Sequence, residues 1–537
     1  MRGRPFLAVV LAIVLSAFAL GLGGWWLVWQ RSPLRLGHHA LVMPRAARFV
    51  PAQAALSLYL FSDGEEPVAY ARAVAPPRQR RAAAATVARL RDGAFAAAGL
   101  DYRNELAAWL APEIGLALLD DSGSSGDWLL VLRSRDDDGA RRFLQRFWQS
   151  RSLAGTDLQV SSYRGMGLIS GRGALVGSEP VPLATALVDD DLVLLASGRG
   201  VLERALDVSQ IDDLNQAGQP RLVRGLERLQ EGAALLVARP TAMRDWFALP
   251  LPEDGDGRPA LLLAAVQPEG LGLRLRGLLE LPVLPAGLEP VDAGRREALL
   301  AGLRGHPSRL ALLQNPAALQ QSPLVRPLLS RLALDAARDG AAGPLPALVA
   351  AADAGPLLLA DGPQGWLLGS PLDQPPPEAL EPALAAAGLI EAPLEVGERS
   401  LQVWTHLEAG PSRGGAPRAG RGGAAAADQL QAPLAGWRLV EGDLAWWGRN
   451  LALVEERGDR PGQQLRQRLD ALGAPRAPLQ WVVDGEVARE LLRDWQPWRL
   501  LSVLAGGGLD GPVQGLALAL EPDGQGLAWQ AHLDFDA

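Results

Sequence analysis

The chain contains no cysteine, and all 52 of its basic residues are arginine, so it has no lysine either. The first absence excludes thiol nucleophiles, disulfides, iron–sulfur clusters, cysteine zinc sites and lipoprotein processing. The second excludes the phosphate-binding lysine of P-loop enzymes, the kinase lysine and every Schiff-base lysine, including that of pyridoxal phosphate enzymes. Aromatic residues are few and skewed, with 16 Trp against 9 Phe and 4 Tyr. Together with abundant Ala, Gly and Pro this fits a GC-rich genome, so the tryptophans are read as mutational bias before they are read as a binding signal. A net charge of −8 over 537 residues argues against a nucleic-acid binder built on a basic surface. Hydrophobic residues at 48% and charged residues at 21% describe a globular chain with material for two to four domains.

Catalytic signatures are missing as well. There is no G-x-S-x-G and no H-E-x-x-H. The glycines from Gly171 in GRGALVG lack a following helix that would present phosphate-binding amides. Five histidines are available. His38 and His39 follow the first apolar run and are read as solvated, and His306 precedes a proline in a loop. His532 falls on the wet face of a hairpin. His406 shares a strand face with Trp404 and Glu408, an arrangement read as a cross-strand surface pair before a general base with its orienter. The acidic clusters, Asp120, Asp121 and Asp127, then Asp189 to Asp191, then Asp254 and Asp256, are read as turns; the last lacks the bidentate glutamate that a calcium loop needs. No catalytic, cofactor-binding or metal site is assigned.

What is present begins at the N-terminus. From Phe6 to Trp29 the chain runs 24 residues without a charge. A helix of that length spans a bilayer with some tilt, with Trp25, Trp26 and Trp29 at one interface and Arg2 and Arg4 beyond the other. A cleaved signal peptide is the rival reading, since Ala17-Phe18-Ala19 has the form of a cleavage site. The run continues ten residues beyond that site, which favours an uncleaved anchor. Ala8, Ala12 and Ser16 form a small-residue stripe along it. The expectation is a single-pass membrane protein whose body lies in the periplasm or thylakoid lumen.

The body repeats itself. AVQPEGLGLRLRGLLEL starts at residue 265, and ALEPDGQGLAWQAHLDF starts at 519, 254 residues on. Each has a Pro-acid-Gly turn followed by period-two alternation. Leu271, Leu273, Leu275, Leu279 and Leu281 face one way, and so do Leu527, Trp529, Leu533 and Phe535. LVDDDLVLLAS at Leu187 matches LVEGDLAWWGR at Leu439, and Arg244-Asp245-Trp246 matches Arg493-Asp494-Trp495. EIGLALLDDSGSSGDWLLVL from Glu113 resembles DAGPLLLADGPQGWLLG from Asp353. Shared order at similar offsets indicates two copies of one unit. The expected fold class is α+β, an internal duplication of a mostly antiparallel α+β unit preceded by one transmembrane helix. The expected divisions are 1–36 for anchor and linker, 37–283 for unit 1 and 284–537 for unit 2, with 411–428 as a flexible loop. Within unit 1, Asp136 to Asp138 open a helix whose buried stripe is Phe143, Leu144, Phe147 and Trp148.

One further segment carries a resemblance. GLDYRNELAAWLAPEIGLALL, from Gly99 to Leu119, together with SYRGMGLIS from Ser162 and ATALVDDDLVLLAS, resembles the domain of unknown function 3352 family. Ala111-Pro112 before Glu113 departs from that family's pattern, which has a glycine before the acid. The resemblance implies a mainly cyanobacterial family with an N-terminal membrane helix and a repeated α+β body, in a periplasmic or thylakoid-lumen setting, and it implies no activity. The functional expectation is a non-enzymatic interaction or scaffold protein. Its expected partners are the membrane and an envelope or thylakoid protein, with no cofactor and no nucleic acid. The alternative is a binder of an apolar small molecule, a lipid or pigment, held between the two units.

Overall fold

Short leucine- and valine-rich runs punctuated by glycine turns make ten strands in the first half of the chain: β1 (Leu56–Leu60), β2 (Leu110–Leu118), β3 (Trp128–Ser134), β4 (Asp157–Tyr163), β5 (Met166–Arg172), β6 (Leu183–Val188), β7 (Leu192–Ala196), β8 (Ala234–Ala238), β9 (Leu261–Glu269) and β10 (Gly272–Glu280). The second half continues with β11 (Arg309–Leu313), β12 (Leu357–Gly362), β13 (Gly365–Pro371), β14 (Leu389–Val396) and β15 (Arg399–His406). A two-residue pair follows, β16 (Glu408–Ala409) and β17 (Leu430–Gln431). Then come β18 (Leu434–Glu441), β19 (Leu444–Gly448), β20 (Leu479–Asp484), β21 (Val513–Asp523) and β22 (Gly526–Phe535). The computed structural model describes residues 32–536 apart from 120–125, 154, 173–181, 250, 252–258, 332–343, 410–429, 456–461 and 525.

Every described pairing is antiparallel, and all strands but β16 and β17 join one sheet of 20 strands. Across the first half the order is 4-5-6-7-3-2-1-8-9-10, and β10 then pairs with β22. From β22 the order is 22-21-20-11-12-13-19-18-15-14. Element for element, the second run is the first read backwards. Each closing hairpin stays with its own half, and the two hairpins meet edge to edge. Arg276 pairs with Gln530, the residue 254 positions on, so a pseudo-two-fold axis passes through that pair. At the seam Gly277 faces Trp529, and a Cβ on the glycine would overlap the indole, so this position seats the ring by having no side chain.

An open sheet of this width is far beyond the usual range. It is held by helices laid over both faces. In the first half, Arg199–Val208 and Pro220–Leu229 cover one face, and Asp137–Leu153 covers the other with Phe143, Leu144, Phe147 and Trp148 buried, the expected stripe. In the second half, Ala293–Ala301 and Gln463–Ala471 cover the first face, while Leu345–Ala351 and Pro377–Ala386 cover the second. A fifth cluster spans the seam, where Ala238, Met243 and Leu279 pack with Trp481, Leu520, Leu527 and Leu533. Helix Gln496–Leu504 also crosses to the first half, where Gly93 of helix Arg80–Ala97 sits so close that a Cβ would overlap the carbonyl of Leu504.

The expected transmembrane helix preceding the body is corrected. Among the described residues no helix is long and apolar enough to cross a membrane. The longest of them, Arg80–Ala97, carries Arg80, Arg81, Arg89, Arg91 and Asp92 through its length, and residues 6–29 lie outside the described residues. The fold class is therefore α+β with one large antiparallel sheet and no transmembrane element among the described residues. The 3-10 turn Pro33–His38 packs with the first half, where Gln267 Nε2 donates to the Gly37 carbonyl at 2.8 Å. Loop 411–428 lies outside the described residues.

Candidate functional site

The seam is where the two halves bring charged side chains together. Residues of β10 and β22 alternate across the sheet. One face carries Leu273, Leu279, Leu527, Trp529 and Leu533 into the seam core. The opposite face carries Arg274, Arg276, Gln530, His532 and Asp534, with Arg274 directly opposite His532.

Two helix ends flank this polar strip. Arg276 Nη2 donates to the carbonyls of Leu229 and Glu231 at 3.0 and 3.3 Å, closing the end of helix Pro220–Leu229. Arg274 Nη2 donates to the Ala471 carbonyl at 3.1 Å, closing the end of helix Gln463–Ala471 in the other half. A cation belongs at a helix C-terminus, where unsatisfied carbonyls concentrate partial negative charge. Each of these helices also sends an arginine to its own last strand, Arg221 to Glu280 and Arg468 to Asp534. Arg228 reaches across the seam to Asp523. These charges stitch the helices of the two halves to one shared strand pair.

His532 belongs to the same strip. Alternation places it on a wet face, but its side chain is only 13% exposed; Gly272 of the partner strand lies against its ring, and Arg468 pairs with the neighbouring Asp534. Its Nδ1 lies 3.2 Å from Asp534 Oδ1, yet neither ring nitrogen has an aligned hydrogen-bond partner. Burial pushes the Asp534 carboxyl up, but His532 and Arg468 outweigh it and hold it below the ordinary carboxylate range. A carboxyl held low stabilises the folded state at neutral pH, and that contribution disappears as pH falls from the unfolded value through the folded one. Asp534→Asn should therefore cost about 1 kcal/mol near neutral pH and progressively less on the acid side of the carboxylate range. Urea midpoints of both proteins across that range measure it. A gap that stays constant with pH would show that Asp534 acts by packing alone.

The other histidines do not gather into a reaction centre. His38 Nδ1 lies 3.0 Å from Glu231 at the surface. His39 Nδ1 meets the Phe61 carbonyl at 2.8 Å, and its Nε2 stands 3.9 Å from Glu66. Burial pushes the Glu66 carboxyl up, with Asp63 adding to the effect. His406 is half-buried opposite Leu389, and its Nδ1 is covered without a partner. Its neighbour Trp404 is buried, stacked on Trp447 at 5.3 Å. Among the described residues no carboxylate reaches His406, and no group of three or more metal-ligating side chains converges. His306 lines a cleft with Arg304, Asp361 and Gln364, about 200 Å³ including its open mouth and with room inside for about one water molecule.

Of the acidic clusters, Asp189 and Asp190 take left-handed backbone in a tight turn, as expected. Their ion pairs are new: Asp191 with Arg45 and Arg133, and Asp190 with Arg141. Ser197 Oγ donates to Asp127, while Asp120, Asp121, Asp254 and Asp256 lie outside the described residues. Sequence reasoning misses the seam arginines as well. The available signal is an arginine in the helix that precedes β8 in one copy and β20 in the other, Arg221 in its first turn and Arg468 in its last, each followed by an acid in the last strand.

A protein-family model described as "Protein of unknown function (DUF3352)" matches residues 9–300. The chain belongs to this family. The DUF3352 match ends shortly after β10 and the seam, so it covers the first half of the palindrome and stops before β11. No curated protein is similar to the chain at a significant level. Among solved structures, "Structure of crystal form I of TP0453" is similar over 44% of this chain and 79% of its own, with 11% identity and a TM-score of 0.25. "Structure of crystal form III of TP0453" is similar over 49% and 87%, with 11% identity and a TM-score of 0.26. Similarity at that level carries no inference about this DUF3352 chain.

Proposed function

We infer that the protein is a non-enzymatic interaction protein of the periplasm or thylakoid lumen that holds another envelope protein. One observation carries this reading. Helix Gln496–Leu504 anchors Trp498 in the seam core at 5% exposure, yet leaves Leu500, Leu501 and Val503 at 43%, 38% and 75%. Leu500 and Val503 are three residues apart and share a helix face. An apolar surface left in water beside a rigid core is the usual mark of a protein contact.

The absence of cysteine makes the test direct, because Val503→Cys gives the chain its only thiol. Labelled with a photoreactive maleimide in native membranes, it should form one recurrent adduct with another protein, while a thiol at exposed Arg295 should not. Adducts no more specific at Val503 than at Arg295 would end the reading. An impermeant maleimide on the same variant tests the compartment, since labelling only after access to the cytoplasm would overturn the lumenal or periplasmic placement.

The alternative, an apolar small molecule between the halves, ranks second. Between them lies an unbroken strand pair, with a filled cluster around Leu279, Leu527 and Trp529 on its apolar face.

A further inference from the structure

The palindromic sheet has two outer strands, β4 at one end and β14 at the other, in equivalent positions. Each belongs to a two-residue hairpin. β4 closes on Arg164-Gly165, both with left-handed backbone, and β14 closes on Gly397-Glu398. In such hairpins the pair flanking the turn is hydrogen-bonded, and the ladder alternates from there. The N–H and C=O groups of Tyr163, Ser161 and Gln159 therefore point to β5, and those of Ser162, Val160 and Leu158 point outward. By the same count Val396, Leu394 and Ala392 point to β15, and Glu395, Pro393 and Glu391 point outward.

Counted from their turns, Val160 and Pro393 occupy the same place. One edge carries an outward N–H at that point, and the other carries a proline that has none, flanked by two glutamates. Proline and charge are the standard guards against strand addition. The guard stands at one end of this sheet only. At the other end Val160 is 78% exposed, the helix leading into β4 ends on Leu153 at 90% exposure, and among the described residues no strand pairs with that side of β4.

We propose that β4 is a self-association edge, where a second copy of this chain adds its own β4 antiparallel with Val160 opposite Val160. Three features select a second copy as the occupant. The outward triplet Leu158, Val160 and Ser162 is uncharged, and a two-fold rotation about Val160 sets Leu158 opposite Ser162 with no like charges facing. The charges at its ends are opposite, Asp157 before it and exposed Arg164, which pairs with Asp207 at 3.0 Å, just after it, so the rotation brings that arginine of one copy beside the aspartate of the other. One open edge per chain also closes the assembly at two copies, whereas two open edges would run on into a fibre. The seam of β10 and β22 shows the same kind of join already made within the chain.

The experiment uses the full chain purified in mild detergent. Val160→Cys supplies the only thiol, and directly opposed residues of such a pair lie within disulfide reach. Mild oxidation should give on the order of tenfold more covalent dimer for Val160→Cys than for Pro393→Cys. Because the Val160 N–H faces outward, Val160→Pro removes no ladder bond of the fold. It should leave the circular dichroism spectrum unchanged while lowering the dimer fraction seen by mass photometry. Equal cross-linking at positions 160 and 393, or a Val160→Pro protein as dimeric as the wild type, overturns the proposal. These readouts are separate from the Val503 adduct, so either idea can fail without the other.

Discussion

Trp446→Ala is expected to lower stability by about 4 kcal/mol, through lost burial plus the cavity left behind. The indole is 1% exposed and occupies space that two glycines leave free. A Cβ on Gly369 would stand 2.6 Å from its Cζ3, and one on Gly302 would overlap the ring. The first half shows the alternative solution. There Val131 pairs with Leu194, at the ladder position where the second half pairs Gly369 with Trp446. Volume is conserved across the pair, with small against large in one copy and medium against medium in the other. Gly369→Val alone should therefore overpack the site by about 1–3 kcal/mol. The double variant Gly369→Val with Trp446→Leu should be more stable than either of the variants Gly369→Val and Trp446→Ala. Denaturant midpoints decide this; a double variant below both would show that the two halves do not pack as equivalents here.

The second large effect is electrostatic. Arg304 is 3% exposed, donates from Nη1 to the Val454 carbonyl at 2.9 Å and pairs through Nη2 with Glu441. Its Nε is covered without a partner. Glu441→Ala would leave a guanidinium inside the fold without this carboxylate, at a cost of about 3 kcal/mol or more. The corresponding turn in the first half gives the control. Arg45 meets Asp191 there, but with side chains 41% and 21% exposed, so Asp191→Ala should cost about 1 kcal/mol or less. The same arginine-to-turn contact thus has two values, set by burial. Thermal or urea unfolding of the two variants compares them, and equal losses would refute the argument.

Local patterns are legible in the sequence. The alternation after Pro268 and after Pro522 puts Leu279, Leu527 and Leu533 in the core, where they lie, and the stripe from Phe143 to Trp148 follows from helical spacing. The tryptophans are not legible in this way. Nine of the thirteen beyond residue 29 are buried, and Trp446 and Trp437 each lie against glycines that only the fold brings near: Gly302 and Gly369 for the first, Gly448 for the second. The union of the halves is equally hidden, because β10 and β22 are remote in the chain and nothing local specifies their register. His532 shows the cost of reading a strand alone, since on a face that alternation marks as wet its ring lies against Gly272 of the neighbouring strand and is largely buried.

The position of β22 has a consequence for how the protein is made. Its last strand is also a central one, paired on both sides. During synthesis β10 is complete long before β22, since residues 281 to 525 lie between them, 245 in all. At about 5–20 residues per second, roughly 12 to 50 s pass in which a folded first half would hold an unpaired inner edge open on the ribosome. A chain released before β22 would keep that edge exposed, with Arg276 left to meet Arg276 of any like neighbour, a pairing of like charges that disfavours capture by another nascent copy.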